Sequence, residues 1–161
     1  MKNSSYEKQM NRFKEVICLC AKSHLELLNS ERLLAFEKKL FQKYVDNETE
    51  DNALEKSLFN ISYFLYKHYH QKVIILIDEY DLPLQSAYQY NYYDEMVEFL
   101  RNVFSSTLKT NDALEKGIMA GCLRISKESI FTGLNNFKAY SILYKSKNEY
   151  FGFTKKEILQ L

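Results

Sequence analysis

Asp78, Glu79 and Asp81 place three carboxylates within four residues, directly after the apolar run Val73-Ile-Ile-Leu-Ile77. A cluster of acids this tight suits Mg²⁺. Its position matters as much as its charge. A short β-branched and aliphatic run bounded by polar residues predicts a strand buried on both faces, as in a parallel sheet. Parallel sheets carry their chemistry just beyond the carboxyl ends of the strands. Asp78 and Glu79 fall at that end.

Two other pairs invite a metal reading, Cys18-x-Cys20 and His68-x-His70. Residues two apart on a helix face different ways, so neither pair chelates as it stands. His24 lies one turn from Cys20, which is only a marginal improvement. No second closely spaced pair completes a zinc motif. Small core thiols and a polar helix end account for both.

The elements that must position the acids follow from periodicity. Residues 1 to about 70 read as helical. Val16, Ile17, Cys20, Leu27 and Leu28 continue a stripe from Phe13. Ser30 is the expected N-cap of a second helix with the face Leu33, Phe36, Leu40, Phe41 and Tyr44. Asp46 to Asp51 is a loop. Asn52 with Glu55 reads as a capping box opening a third helix, striped by Leu54, Leu58, Ile61, Leu65 and Tyr69. After the acids, Pro83 restricts Leu82 to extended geometry and ends regular structure. Tyr88, Tyr90, Tyr92 and Tyr93 read as a loop packed on the next helix, since no basic cluster accompanies them. That helix starts near Asp94, presents Met96, Phe99, Leu100, Val103 and Leu108, and serves as a crossover between parallel strands. Gly117 to Leu123 is the second strand, and Tyr140 to Leu143 a third. Thr154 with Glu157 is a further capping box.

Composition narrows the classes. The chain has 161 residues, enough for one domain with a real core, and 46% are hydrophobic, which argues against disorder. A net charge of +1 gives no global attraction for nucleic acid or an anionic membrane. No run is long and apolar enough to span a bilayer, and the N-terminus lacks a signal-peptide core. Cys18, Cys20 and Cys122 read as reduced thiols of a cytoplasmic protein. No internal repeat is evident.

Four ordered strings carry a resemblance: Val73 to Asp81, Gly121-Cys-Leu-Arg-Ile-Ser-Lys-Glu-Ser-Ile130, Gly133-Leu-Asn-Asn136 and Tyr150-Phe-Gly-Phe-Thr154. Together they resemble the AAA-ATPase-like family, a bacterial group of P-loop ATPases whose members often carry a PD-(D/E)xK nuclease-like domain. The resemblance implies an α/β chain with a partial P-loop NTPase-like, three-layer fold: a helical segment over 1–70, then a Walker B and sensor part over 71–161, truncated at both ends. It implies that Asp78 is the Mg²⁺-associated Walker B acid and Glu79 the catalytic base. Arg124 is implied as a polar group near the nucleotide. Ser126, Lys127 and Glu128 match the family string without an assigned role. At position 120 the family commonly has Thr, a γ-phosphate sensor, where this chain has Ala120.

A second departure is larger. No Gly-x-x-x-x-Gly-Lys-Ser/Thr occurs, and the first glycine is Gly117. That loop supplies backbone N–H groups and a Lys to the phosphates and a hydroxyl to Mg²⁺. Charge-assisted hydrogen bonds contribute about 1.5–3 kcal/mol each, so losing about four removes roughly 6–12 kcal/mol. A micromolar affinity amounts to about 8 kcal/mol. ATP and Mg²⁺ are therefore expected for a complete domain and not as tight ligands of this chain alone. The loop and its strand are expected from an upstream segment or a partner chain. Without that strand, either the two remaining strands close up or an apolar edge stays open, and an open edge recruits another chain or aggregates. Two alternatives stand beside a truncated ATPase domain. One is a binding or regulatory module that kept the scaffold and lost catalysis. The other is a metal-dependent nuclease on Asp78, Glu79 and Asp81, against which no suitably spaced Glu-x-Lys follows.

Overall fold

The first helix, α1, spans Ser4–Lys22, with Glu7 in its first turn and Lys22 in its last, each the favourable sign for the helix dipole. In the computed structural model, which describes residues 4–122, 130–131, 137–140 and 153–160, its buried stripe is Met10, Ile17, Cys18 and Ala21. Val16, expected in that stripe, points to solvent. A 3-10 turn, Leu25–Asn29, then carries Leu27 into the core.

Helix α2 runs Ala35–Val45, so Ser30 is not its N-cap. Glu37 reaches back instead, its Oε2 accepting the Leu34 N–H at 2.7 Å. Ser30 Oγ accepts the Arg32 N–H at 3.3 Å and pairs with His68 Nδ1 at 2.8 Å. The buried face also differs from the expected one. Glu37, Phe41, Tyr44 and Val45 face inward, while Phe36 is exposed. A one-turn helix α3, Asp51–Leu54, and helix α4, Ser57–Tyr69, replace the single helix expected from Asn52. Neither start has a side-chain cap. Glu55 turns outward to α6 (Tyr93–Leu108), where its carboxylate accepts from Asn102 Nδ2 at 3.2 Å. Of the expected stripe, Leu54 on α3 and Ile61 on α4 are buried, whereas Tyr69 at its end is exposed.

Strand β1, Val73–Ile77, forms where the apolar run predicts it. Strand β2 spans Leu114–Met119, earlier than Gly117 to Leu123, because Asn111 organises the entry: its Oδ1 takes the Ala113 N–H at 3.1 Å and its backbone O the Leu114 N–H at 3.0 Å. The strands pair in parallel, with Ile75 opposite Gly117 and Ile77 opposite Met119. Helices α5 (Leu82–Gln89) and α6 form the crossover. Pro83 sits in the first turn of α5, where its missing N–H has no helical partner to lose. It starts a helix rather than ending regular structure. The aromatic stretch divides accordingly. Tyr92 is buried, its hydroxyl 2.9 Å from Ser86 Oγ, while Tyr88 and Tyr90 are exposed.

Burial of β1 on both faces is overturned. Helices α4 and α6 pack against the sheet. Val73, Ile75 and Ile77 are half-buried, but Ile74 is 58% and Leu76 72% exposed. No described element covers that second face.

One hydrophobic cluster joins Met10, Ile17, Phe41, Tyr44, Ile61, Val103, Phe104 and Ile130. Thr154 and Glu157 make the expected capping box at α7 (Lys155–Ile158), with Thr154 N–H to Glu157 Oε2 at 2.7 Å and Glu157 N–H to Thr154 Oγ1 at 3.3 Å. Cys18, Cys20 and Cys122 are free thiols; Cys18 is buried and donates to the Val45 carbonyl, whereas Cys122 is exposed. Arg124, Ser126, Lys127, Glu128, Gly133 to Asn136 and the 141–143 part of the expected third strand lie outside the described residues.

Candidate functional site

Asp78 and Glu79 lie at the carboxyl ends of two parallel strands, and both are exposed. Their placement comes from the main chain of one residue. The Ala120 N–H donates to the Ile77 carbonyl at 2.8 Å, and the Ala120 carbonyl accepts the Tyr80 N–H at 3.3 Å. Asp78 and Glu79 are the two residues between those anchors. They bulge from the sheet while both ends of the bulge stay tied to Ala120, the residue directly after β2.

The bulge requires an unusual backbone. Glu79 has φ 51°, in the left-handed region that costs a non-glycine residue about 1–2 kcal/mol. Its N–H is taken by Asp78 Oδ1 at 2.9 Å, which offsets part of that cost. Glu79 O accepts the Leu82 N–H at 3.1 Å, leading the chain into α5. Strained backbone of this kind is concentrated at functional sites.

Asp81 behaves differently from its two neighbours. It is 1% exposed. Its Oδ2 accepts from Gln85 Nε2 at 3.0 Å, and its backbone O accepts the Leu84 and Gln85 N–H groups, both at 3.1 Å. Its Oδ1 lies against Gly121, where an added Cβ would be 2.5 Å away. Tyr80 closes over the same glycine, its ring 2.8 Å from that Cβ position, and stacks edge-on against Phe131 at 5.6 Å. Burial, and then the adjacent Asp81 charge, push the Tyr80 hydroxyl pKa up.

The three carboxylates thus do not form one cluster: two face solvent and one is enclosed. Among the described residues no group of three His, Cys, Asp or Glu side chains is arranged to hold a metal. An exposed pair of hard oxygen donors still suits Mg²⁺, which is commonly bound by one or two carboxylates together with substrate phosphates. Asp78 and Glu79, neighbours in the chain, are both exposed beyond β1, and Arg124 is outside the described residues. Sequence reasoning missed the Asp81–Gly121 contact. The available signal was a glycine in an otherwise apolar run two residues past β2, a position that marks close backbone approach.

The family model described as "Predicted AAA-ATPase" matches residues 2–131, from α1 through both strands and the acidic bulge to Phe131. The chain belongs to the AAA-ATPase-like family. An "Uncharacterized protein in vnfD 5'region" from Azotobacter chroococcum mcd 1 is similar to this AAA-ATPase-like chain, at 35% identity over 74 residues. That alignment covers 45% of the chain and 14% of the relative's length. No solved structure matches. The AAA-ATPase-like match includes every residue of the Asp78–Asp81 turn and of the Ala120–Gly121 segment that holds it.

Proposed function

We propose that this chain carries the acidic half of an ATP·Mg²⁺ site on a P-loop NTPase-like, three-layer scaffold. Asp78 supplies an oxygen to Mg²⁺. Glu79 accepts a proton from the attacking water. Arg124 contributes charge near the nucleotide. The observation that supports this most is the parallel pairing of β1 with β2, which sets both exposed acids at the sheet mouth. Membership of the AAA-ATPase-like family supports it independently.

The phosphate-gripping loop is assigned to a segment outside these 161 residues, because no Gly-x-x-x-x-Gly-Lys-Ser/Thr occurs within them. That loop comes from a longer polypeptide or a partner chain. Isothermal titration of the 161-residue chain with MgATP is expected to give no micromolar binding. In a polypeptide that includes the loop, Glu79→Gln is expected to keep ATP binding and cut turnover by about 10²-fold or more. Unchanged turnover in Glu79→Gln would sink the assignment.

A second reading, a binding or regulatory module without hydrolysis, draws on Ala120. Its methyl group cannot sense a γ-phosphate. Under that reading the loop-containing polypeptide binds ATP, and turnover appears only on Ala120→Thr.

A further inference from the structure

A buried carboxylate beside two exposed ones needs its own explanation. Burying a charge costs free energy unless hydrogen bonds compensate. Asp81 is buried where the acidic bulge, the first turn of α5 and the exit from β2 meet. Gln85 holds one oxygen. The other oxygen fills the space a Gly121 side chain would need, 2.5 Å from where its Cβ would stand. Gly121 has no positive φ, so glycine is required there for space rather than for backbone freedom. Directly upstream, Ala120 ties both ends of the bulge. A shift of Gly121 away from Asp81 would therefore pull on the two hydrogen bonds that frame Asp78 and Glu79.

We propose that Asp81 is a positioning residue: its enclosed carboxylate, seated on the Gly121 backbone, locks the bulge that presents Asp78 and Glu79. This rests on the reading of those two as the site acids, but its test does not. Amide hydrogen exchange on the 161-residue chain reads the lock directly. Asp81→Ala is expected to speed exchange at Tyr80 and Ala120 about tenfold while Phe64 and Val103 in the core keep their rates. Asp81→Asn, which retains size and an acceptor for Gln85, is expected to stay near the original rates. Gly121→Ala should loosen the same two amides. Combining it with Asp81→Ala should loosen them less than the two effects added, because the new methyl enters the vacated space. Should Asp81→Ala not fold, Gly121→Ala and Asp81→Asn carry the comparison. Unchanged Tyr80 and Ala120 rates, acceleration spread evenly through the core, or strict additivity would overturn the proposal. Failure of the ATP reading would instead appear as unchanged turnover in Glu79→Gln and leave this exchange pattern intact.

Discussion

Glu79 separates function from stability at a single position. Its left-handed φ is a strain that glycine would not feel. Glu79→Gly is therefore expected to raise stability by about 0.5–1 kcal/mol after the extra chain entropy of glycine is subtracted, read as a higher denaturant midpoint. The same substitution removes the proposed base. A β-branched residue there should be worse than the native one, so Glu79→Val is expected to lower the midpoint. Asp78 is exposed, and its Oδ1 accepts one local hydrogen bond, from the Glu79 N–H. Asp78→Ala should change stability by no more than about 0.5 kcal/mol.

At the scale of elements, side chains between helices decide what periodicity left open. Glu37 is buried, caps α2 through the Leu34 N–H and pairs with Lys67 of α4 at 2.7 Å. Removing it should cost about 2–4 kcal/mol, toward the lower end because Lys67 is partly exposed; chemical denaturation of Glu37→Ala measures this. A second tie joins the 3-10 turn to α4, where the Tyr69 hydroxyl donates to Glu26 at 2.8 Å. Partial burial raises the Glu26 pKa, but its backbone hydrogen bond, Tyr69 and His24 outweigh that and hold it below the usual carboxylate value. A lowered folded pKa means stability that is present above the unfolded value, about 4.3, and lost as pH falls through the folded one. The Tm gap between the native chain and Tyr69→Phe should accordingly shrink in melts below about pH 4. These ties explain what could be read in advance. Val73 to Ile77 and the helix after Asp94 were legible because length and apolar pattern alone specify them. Ser30 and Pro83 were misread because their roles depend on partners. His68 claims the Ser30 hydroxyl, and Asp81 with Gln85 opens a helix around Pro83. Burial of Asp81 was invisible for the same reason, since the glycine it rests on lies in another strand's exit.

Among the described residues, the molecule has one apolar core and one bare apolar face. Ile74, Leu76 and Ile118 stand on the sheet without a described element above them. Exposed apolar patches promote association. Leu76→Lys is expected to reduce light scattering at high concentration while leaving the melting temperature nearly unchanged. The core, by contrast, is shared. Met10, Ile17, Phe41 and Tyr44 from the N-terminal helices pack in one cluster with Val103, Phe104 and Ile130. Residues 71–161 expressed alone should show the circular dichroism of an unfolded chain, because half of their packing partners are gone. That common interior has a thermal corollary. The acidic bulge possesses no private reservoir of stability to draw on when its scaffold fails. Heating should extinguish helices, strands and bulge in one sigmoid, with far-ultraviolet ellipticity and tyrosine fluorescence superimposing at every temperature.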